Sequence, residues 1–280
     1  MPRSVSYAIG HVGTWLAWRT MRRLRTAVAD NLRALFPAES RRDLERRALL
    51  TIRSYANDVI DFIHALHATD EEIAAVFEVD DGQASVFMEL LAKGHGIILV
   101  TGHYGNWEIG GVMMRRVFDL PLTIVAMPEV SEEVNRDRRE IRTRLGIESI
   151  EIRQSLDAPL RIARQLRENG IVAMLMDRHV ERDRVDVRFL RRPAAFLRTP
   201  ALMGYLTGSP LLPCFIERTA RGTFRVTPGE PIVVARDRPC DDAIQAAAQQ
   251  FADQLSARIT ACPQYWYQFY SYWDSQPPPA

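Results

Sequence analysis

Two ionisable side chains, an imidazole and a carboxylate, stand five positions apart in Thr101-Gly102-His103-Tyr104-Gly105-Asn106-Trp107-Glu108. Imidazole titrates near neutrality, so His103 can serve as a general base. Glu108 falls in the first turn of a helix expected to start at Asn106, where the helix dipole favours a carboxylate. From there Glu108 can accept the second ring N–H of His103 and hold one tautomer, as the acid of a hydrolase triad does. No Ser or Cys adjoins the pair and no GxSxG occurs, which argues against a covalent nucleophile. A dyad without a nucleophile suits direct attack by a substrate hydroxyl that His103 deprotonates. Backbone N–H groups of Gly105 and Asn106 are the candidate donors to the developing oxyanion. Spacing alone leaves a second reading open, in which His103 is a satisfied polar group at a strand end.

The elements that must position this pair can be read from the flanking pattern. Gly96 to Val100 is an apolar run of strand length and Ile109 to Phe118 has helical character, so the motif lies where a buried strand turns into a helix. Chemistry in open α/β sheets gathers at such strand ends. From residue 70 onward, short apolar runs alternate with amphipathic segments. Strands are expected at 122–127, 147–152, 171–176, 185–190 and 211–216, and helices at 82–92, 132–145, 158–168, 199–208 and 241–261. This alternation predicts an α/β fold, a single domain with a mainly parallel central sheet flanked by helices and an N-terminal helical segment. Ser40 opens a long helix with Asp43 as its capping partner. Leu44, Ala48, Ile52, Tyr55, Val59, Ile63 and Leu66 form its apolar stripe. Three regions are expected: a basic, apolar membrane-proximal segment over 1–38, the main domain over 39–275, and a disordered proline-rich tail over 276–280.

Composition narrows the function classes. The 280 residues are 47 % hydrophobic and 25 % charged, with a net charge of +1, so overall charge gives no case for nucleic acid. The three cysteines are scattered and form no disulfide framework, which fits a reducing compartment. His64 and His67 lack companions for a metal site, and neither metal nor cofactor is implied. Residues 1–29 hold five arginines and no acid, with Tyr7, Trp15 and Trp18 among apolar neighbours. That mixture suits the surface of a membrane, or else a first helix packed on the domain. No run is long enough to span a bilayer. Residues 177–198 carry seven arginines, including Arg178, Arg182 and Arg198. Either they bind an anionic headgroup or carrier protein, or they form a solvated face offset by Glu181, Asp183 and Asp186. Thr199-Pro200, a helix start beside Arg198, is a further candidate anion site.

The spacing His103-x4-Glu108 also resembles the H-x4-D/E signature of the glycerolipid acyltransferase superfamily. The nearest likeness is to the lipid A biosynthesis (lauroyl/myristoyl) acyltransferases and to relatives that acylate phosphatidylinositol mannosides. Asn31 to Pro37 is similar to that family's segment before its first long helix, Arg142 to Gly146 to its Arg-rich motif, and Met176-Asp177-Arg178 to its Asp-Gln position. Phe189 to Arg192 with Thr199-Pro200, and Leu212-Pro213, resemble later segments in the same order. The resemblance implies transfer of a fatty acyl chain from acyl carrier protein or acyl-CoA to a glycolipid hydroxyl, such as that of a lipid A precursor. It also implies a location at the cytoplasmic face of the bacterial inner membrane. His103 and Glu108 are then catalytic, and Arg142, Arg144, Asp177, Arg178, Arg198 and Thr199 bind substrate. Arg178 stands where the family has Gln, and the aromatic end Pro263 to Trp273 lacks the family's usual His and Arg, which leaves the acceptor open. The alternatives are a lipid hydrolase using the same dyad, and a non-catalytic lipid-binding protein on a degenerate acyltransferase fold.

Overall fold

A computed structural model of the chain describes residues 2–78, 81–127, 131–152, 157–180 and 183–275. The expected tail 276–280 and the charged pair Glu181 and Arg182 lie outside them. In chain order the elements are helices α1 (Arg3–Thr20), α2 (Arg22–Leu32), α3 (Arg41–Ala65) and α4 (Asp70–Ala74), strand β1 (Phe77–Glu78), α5 (Asp81–Leu91), β2 (Ile97–Thr101) and α6 (Trp107–Arg116). Then come β3 (Leu122–Ala126), α7 (Glu132–Arg144), β4 (Glu148–Glu151), α8 (Asp157–Arg167), β5 (Ile171–Leu175), β6 (Val185–Phe189) and β7 (Arg192–Phe196). α9 (Thr199–Thr207), β8 (Leu211–Arg218), β9 (Phe224–Pro228) and α10 (Cys240–Ala261) complete the series.

Seven strands form one sheet in the order β1-β9-β8-β2-β5-β3-β4. Strands β8, β2, β5, β3 and β4 run parallel, and β9 pairs antiparallel with β8. The apolar runs at 97–101 and 171–175 occupy the centre of the sheet, as continuous hydrophobic strands in α/β folds do. One face carries α6 and α5. The other carries α8 to α10, the β6–β7 hairpin and the aromatic C-terminal segment. The expected single domain with a mainly parallel sheet is what forms.

Two local features depart from the pattern. The β6–β7 turn puts Leu190 and Arg191 at positive φ, so a two-residue hairpin loop is built without the Gly or Asn that announces one. β7 was therefore invisible among the arginines. Along α3, the apolar stripe holds for Leu44, Ala48 and Ile52, but the buried face then takes in Thr51, Asp58, Asp61 and Ala65, while Ile63 is exposed and Tyr55 and Val59 turn to a cavity. Ser40 caps the helix as expected, its hydroxyl accepting from the Asp43 N–H.

The buried acids of α3 form a charged junction. Arg218, at the end of β8, donates to Asp58 at 3.3 Å and pairs with Asp61. Tyr7 of α1 donates to Asp61 at 2.5 Å, and Tyr267 of the C-terminal segment donates to Asp58 at 2.6 Å. Asn31 of α2 adds a second fastening. Its side-chain amide donates to the carbonyls of Gln268 and Tyr270, and its carbonyl accepts from the Tyr272 N–H. The helices of the N-terminus are thus bound to the last residues of the chain. His64 hydrogen-bonds Ser6 at 3.0 Å, and among the described residues no cluster of metal-ligating side chains occurs.

Two outcomes test this packing. Gly105 has φ of +66° and a Cβ there would fall 2.0 Å from the Ile216 carbonyl oxygen. Gly105→Ala should therefore destabilise the fold by about 2 kcal/mol or more, measured by urea unfolding. Burial lifts the Asp58 carboxyl to about 6, although the Tyr267 hydroxyl and Arg218 favour its anion. The native state then holds a proton that the unfolded chain has released, so this group's contribution to stability falls as pH rises from the ordinary carboxylate range through about 6. Asp58→Asn should flatten that decline in unfolding midpoints taken at stepped pH; an unchanged slope would assign the titration elsewhere.

Candidate active site

The register of the central strands sets the site. β2 and β5 are parallel neighbours with Thr101 opposite Leu175. Two residues beyond that rung, at the carboxyl end of both strands, are His103 and Asp177. His103 Nδ1 lies 2.6 Å from Asp177 Oδ1. Asp177 Oδ2 accepts from the His103 backbone N–H at 2.9 Å and from the Gln268 side-chain amide at 2.7 Å. Gly102 permits this approach, since a Cβ there would meet the Asp177 carboxyl carbon at 3.2 Å.

Asp177 is fully buried. Burial alone would push its carboxyl up, but the facing His103 ring, its hydrogen bonds and the Arg178 charge outweigh that and hold it below the ordinary value. An ionised carboxylate accepts only, so the proton of the neutral ring sits on Nδ1. Nε2 is left with its lone pair for the cavity that His103 lines.

That cavity has a volume of about 720 Å³ and lies between α6 and one face of the sheet. Its lower part is apolar, walled by Phe62, Met113, Met114, Leu122 and Ile124. Its upper part carries the charged side chains Glu108, Arg138, Arg142 and Arg178, with His179 beside them. Tyr55 stands among them, and burial raises its phenol pKa while Arg138 and Arg178 pull it down and Glu108 pushes it up. Arg178 is itself fixed. It donates to the Gln268 side-chain oxygen at 3.0 Å and lies over the Tyr270 ring at 5.0 Å.

Several expected roles change. Glu108 reaches the cavity, but among the described residues no hydrogen bond joins it to His103; Asp177, read from sequence as a substrate contact, holds the ring instead. A helical first turn projects Glu108 away from the strand end, whereas the parallel register delivers Asp177 to it. The N–H of Gly105 is spent on the Tyr265 carbonyl and that of Asn106 on the Ile216 carbonyl, so neither is an oxyanion donor. Asn106 caps α6 instead, its side-chain oxygen accepting from the Ile109 N–H while its amide donates to the Asp58 carbonyl.

The arginines separate as well. Arg142 and Arg178 line the cavity, while Arg144 faces a different depression with Asp70, Arg115 and Arg116 and lies 3.9 Å from Glu140. Two positions apart on α7, the two side chains leave the helix about 200° apart around its axis. Arg198 pairs with Asp241 at 2.6 Å, and the Thr199 N–H and hydroxyl both donate to Asp183. The carboxylate of Asp183 thus already fills the anion position expected at the α9 start. Gln268, Asn31 and Asp58 were missed as supports of the site. The one available signal was the pair of apolar strands ending in Gly-His and Met-Asp, which parallel neighbours place side by side.

Comparison with known proteins identifies the family. The sequence profile described as bacterial lipid A biosynthesis acyltransferase matches residues 1–275. A phosphatidylinositol mannoside acyltransferase of Mycolicibacterium smegmatis is 27 % identical over 240 residues, 85 % of this chain and 74 % of the relative. A phosphatidylinositol mannoside acyltransferase of Mycobacterium tuberculosis is 29 % identical over 186 residues, 65 % of this chain and 56 % of the relative, so the match spans little more than half of that protein. With the match running over nearly the whole chain, the protein belongs to the bacterial lipid A biosynthesis acyltransferase family and is an acyltransferase.

Proposed function

We propose that the protein moves a fatty acyl chain from an acyl-carrier-protein or acyl-CoA thioester to a hydroxyl of a membrane glycolipid, a lipid A precursor or a phosphatidylinositol mannoside. The observation that carries this reading is the His103–Asp177 pair standing at the charged mouth of an apolar cavity. The acyl chain occupies the apolar part, which places its thioester beside the ring. His103 Nε2 takes the proton of the acceptor hydroxyl as that oxygen attacks the thioester carbonyl. The tetrahedral adduct collapses, the C–S bond breaks, and the thiolate leaves with the proton held by His103. Asp177 fixes the tautomer and stabilises the imidazolium, as the buried acid of a triad does. The N–H groups of Trp107 and Glu108, in the first turn of α6, are the donors nearest to replace those of Gly105 and Asn106.

The charged mouth receives the polar parts of the substrates. Arg138, Arg142 and Arg178 meet phosphate, for which the planar guanidinium is matched. Glu108 meets acceptor hydroxyls. These roles predict different kinetics. His103→Ala and Asp177→Asn should each fold and lower kcat by about 10²–10⁴-fold. Glu108→Gln should raise the acceptor KM more than it lowers kcat. Transfer of labelled acyl chain to a lipid extract measures all three, and wild-type kcat in His103→Ala would sink the mechanism. Release of free fatty acid without acylated lipid would favour the hydrolase reading.

The N-terminus supports work at a membrane surface. α1 buries its small and polar residues, Ser6 and Thr14, and Gly10 sits against Ile60 of α3. Its apolar side chains face outward instead, with Ile9, Val12 and Trp15 at 58 %, 60 % and 56 % exposed. Arg19, Arg22 and Arg23 follow. Among the described residues no helix is long and apolar enough to cross a membrane. We propose that the helix lies in the headgroup layer, with the arginines on anionic lipid, at the cytoplasmic face of the inner membrane that the family resemblance implies. Ile9→Glu combined with Trp15→Glu should weaken co-sedimentation with anionic vesicles by about tenfold or more.

A further inference from the structure

α6 carries two adjacent glycines, Gly110 and Gly111, in its middle turn, although each costs a helix about 1 kcal/mol relative to alanine. Both line the cavity. A Cβ on Gly110 would meet Ile216 of β8 at 2.6 Å, and one on Gly111 would approach Leu122 and Ile124 of β3 at 3.6 and 3.8 Å and Ile147, just before β4, at 3.7 Å. The two missing side chains therefore point toward opposite walls. Between those walls lie β2 and β5, which present Leu99 and Ala173 on a single rung, with Ile124 opposite Ala173. These residues occupy the centre of a seven-stranded sheet, yet Leu99 and Ala173 are only half-buried. The open space above them is the cavity, roofed by the bare backbone of the glycine pair. Met113 and Met114 stand further along the same helix. Gly111 lies about 6 Å along the axis from the first residue of α6 and Met114 about 10 Å. The glycines are thus at mid-depth between the His103 mouth and the methionines.

We infer that Gly111 determines which acyl chains the enzyme accepts: its lack of a side chain keeps the middle of the cavity open to a long chain, and a side chain there closes it to all but shorter ones. This rests on the reading of the cavity as the acyl site. Gly111 is the position to test, because its Cβ makes only ordinary contacts and an alanine there favours the helix. Gly110 is not, since Ile216 must move to admit any Cβ.

The experiment compares wild type with Gly111→Ala, Gly111→Leu and, from the floor of the same rung, Ala173→Leu. Binding of acyl-CoA thioesters of graded length is measured by calorimetry, and their transfer to a lipid extract by mass spectrometry of the product. Discrimination in an apolar pocket is about tenfold or more per methylene. Gly111→Leu and Ala173→Leu should each lower binding and transfer of the longest accepted chains by at least about tenfold while chains a few methylenes shorter are still bound and moved. Gly111→Ala should shift the profile in the same direction by less, with a thermal midpoint equal to or above that of wild type. Wild-type chain profiles in all three variants, with transfer intact, would overturn the inference and leave the acyltransfer reading standing. Absence of length-dependent binding and of transfer in the wild type would overturn both.

Discussion

A carboxylate with no solvent contact, Asp177, is the constraint around which this molecule is arranged. An uncompensated buried charge is costly, and breaking a buried pair commonly costs about 3–5 kcal/mol. The groups that offset the charge are the His103 ring and backbone from the end of β2, Gln268 from the C-terminal segment, and Arg178, the following residue. Tyr272 closes the set by donating to the Asp177 carbonyl. The pairing that keeps the carboxylate ionised is the same pairing that leaves the lone pair of His103 Nε2 facing the cavity. Stability and chemistry share one hydrogen bond.

A second buried acidic group carries the constraint outward. Asp58 and Asp61 draw Arg218, Tyr7 and Tyr267 into one junction beneath the cavity wall. Through it α1, which turns its apolar side away from the protein, is joined to α3, which also supplies Tyr55, Val59 and Phe62 to the cavity. The helix that reads as a surface anchor and the helix that walls the acyl site are thereby held in one geometry. Asn31 does the same for the aromatic end of the chain, and it is that end which delivers Gln268 to Asp177.

Much of this was legible in the residues. Alternating apolar runs and amphipathic helices revealed the parallel sheet, and Gly-His after an apolar strand located the mouth of the site. The misreadings share a physical origin. Proximity in sequence points to Glu108 as the partner of His103, but partners across a parallel sheet are set by register, and Asp177 is 74 positions away. Gly105 and Asn106 read as oxyanion donors because a helix start frees N–H groups, yet β8 and the C-terminal segment consume those two. Asp58 and Asp61 broke the expected stripe of α3 because a charged residue is buried once long-range partners neutralise it, and no local pattern signals such partners. Arg144, expected at the site from the family resemblance, and Arg198, expected there from the arginine run and the α9 start, are separated from Arg178 by side-chain direction.

The central claim is that Asp177 fixes the His103 ring with its proton on Nδ1 and Nε2 open to the cavity. The direct measurement is nitrogen-15 NMR of the histidine side chains in the neutral protein, with His103 assigned from the His103→Ala spectrum. The Nδ1–H tautomer should dominate in wild type and give way to a mixture in Asp177→Asn. An Nε2–H tautomer in wild type, or a His103 signal indifferent to the Asp177 substitution, would contradict the account.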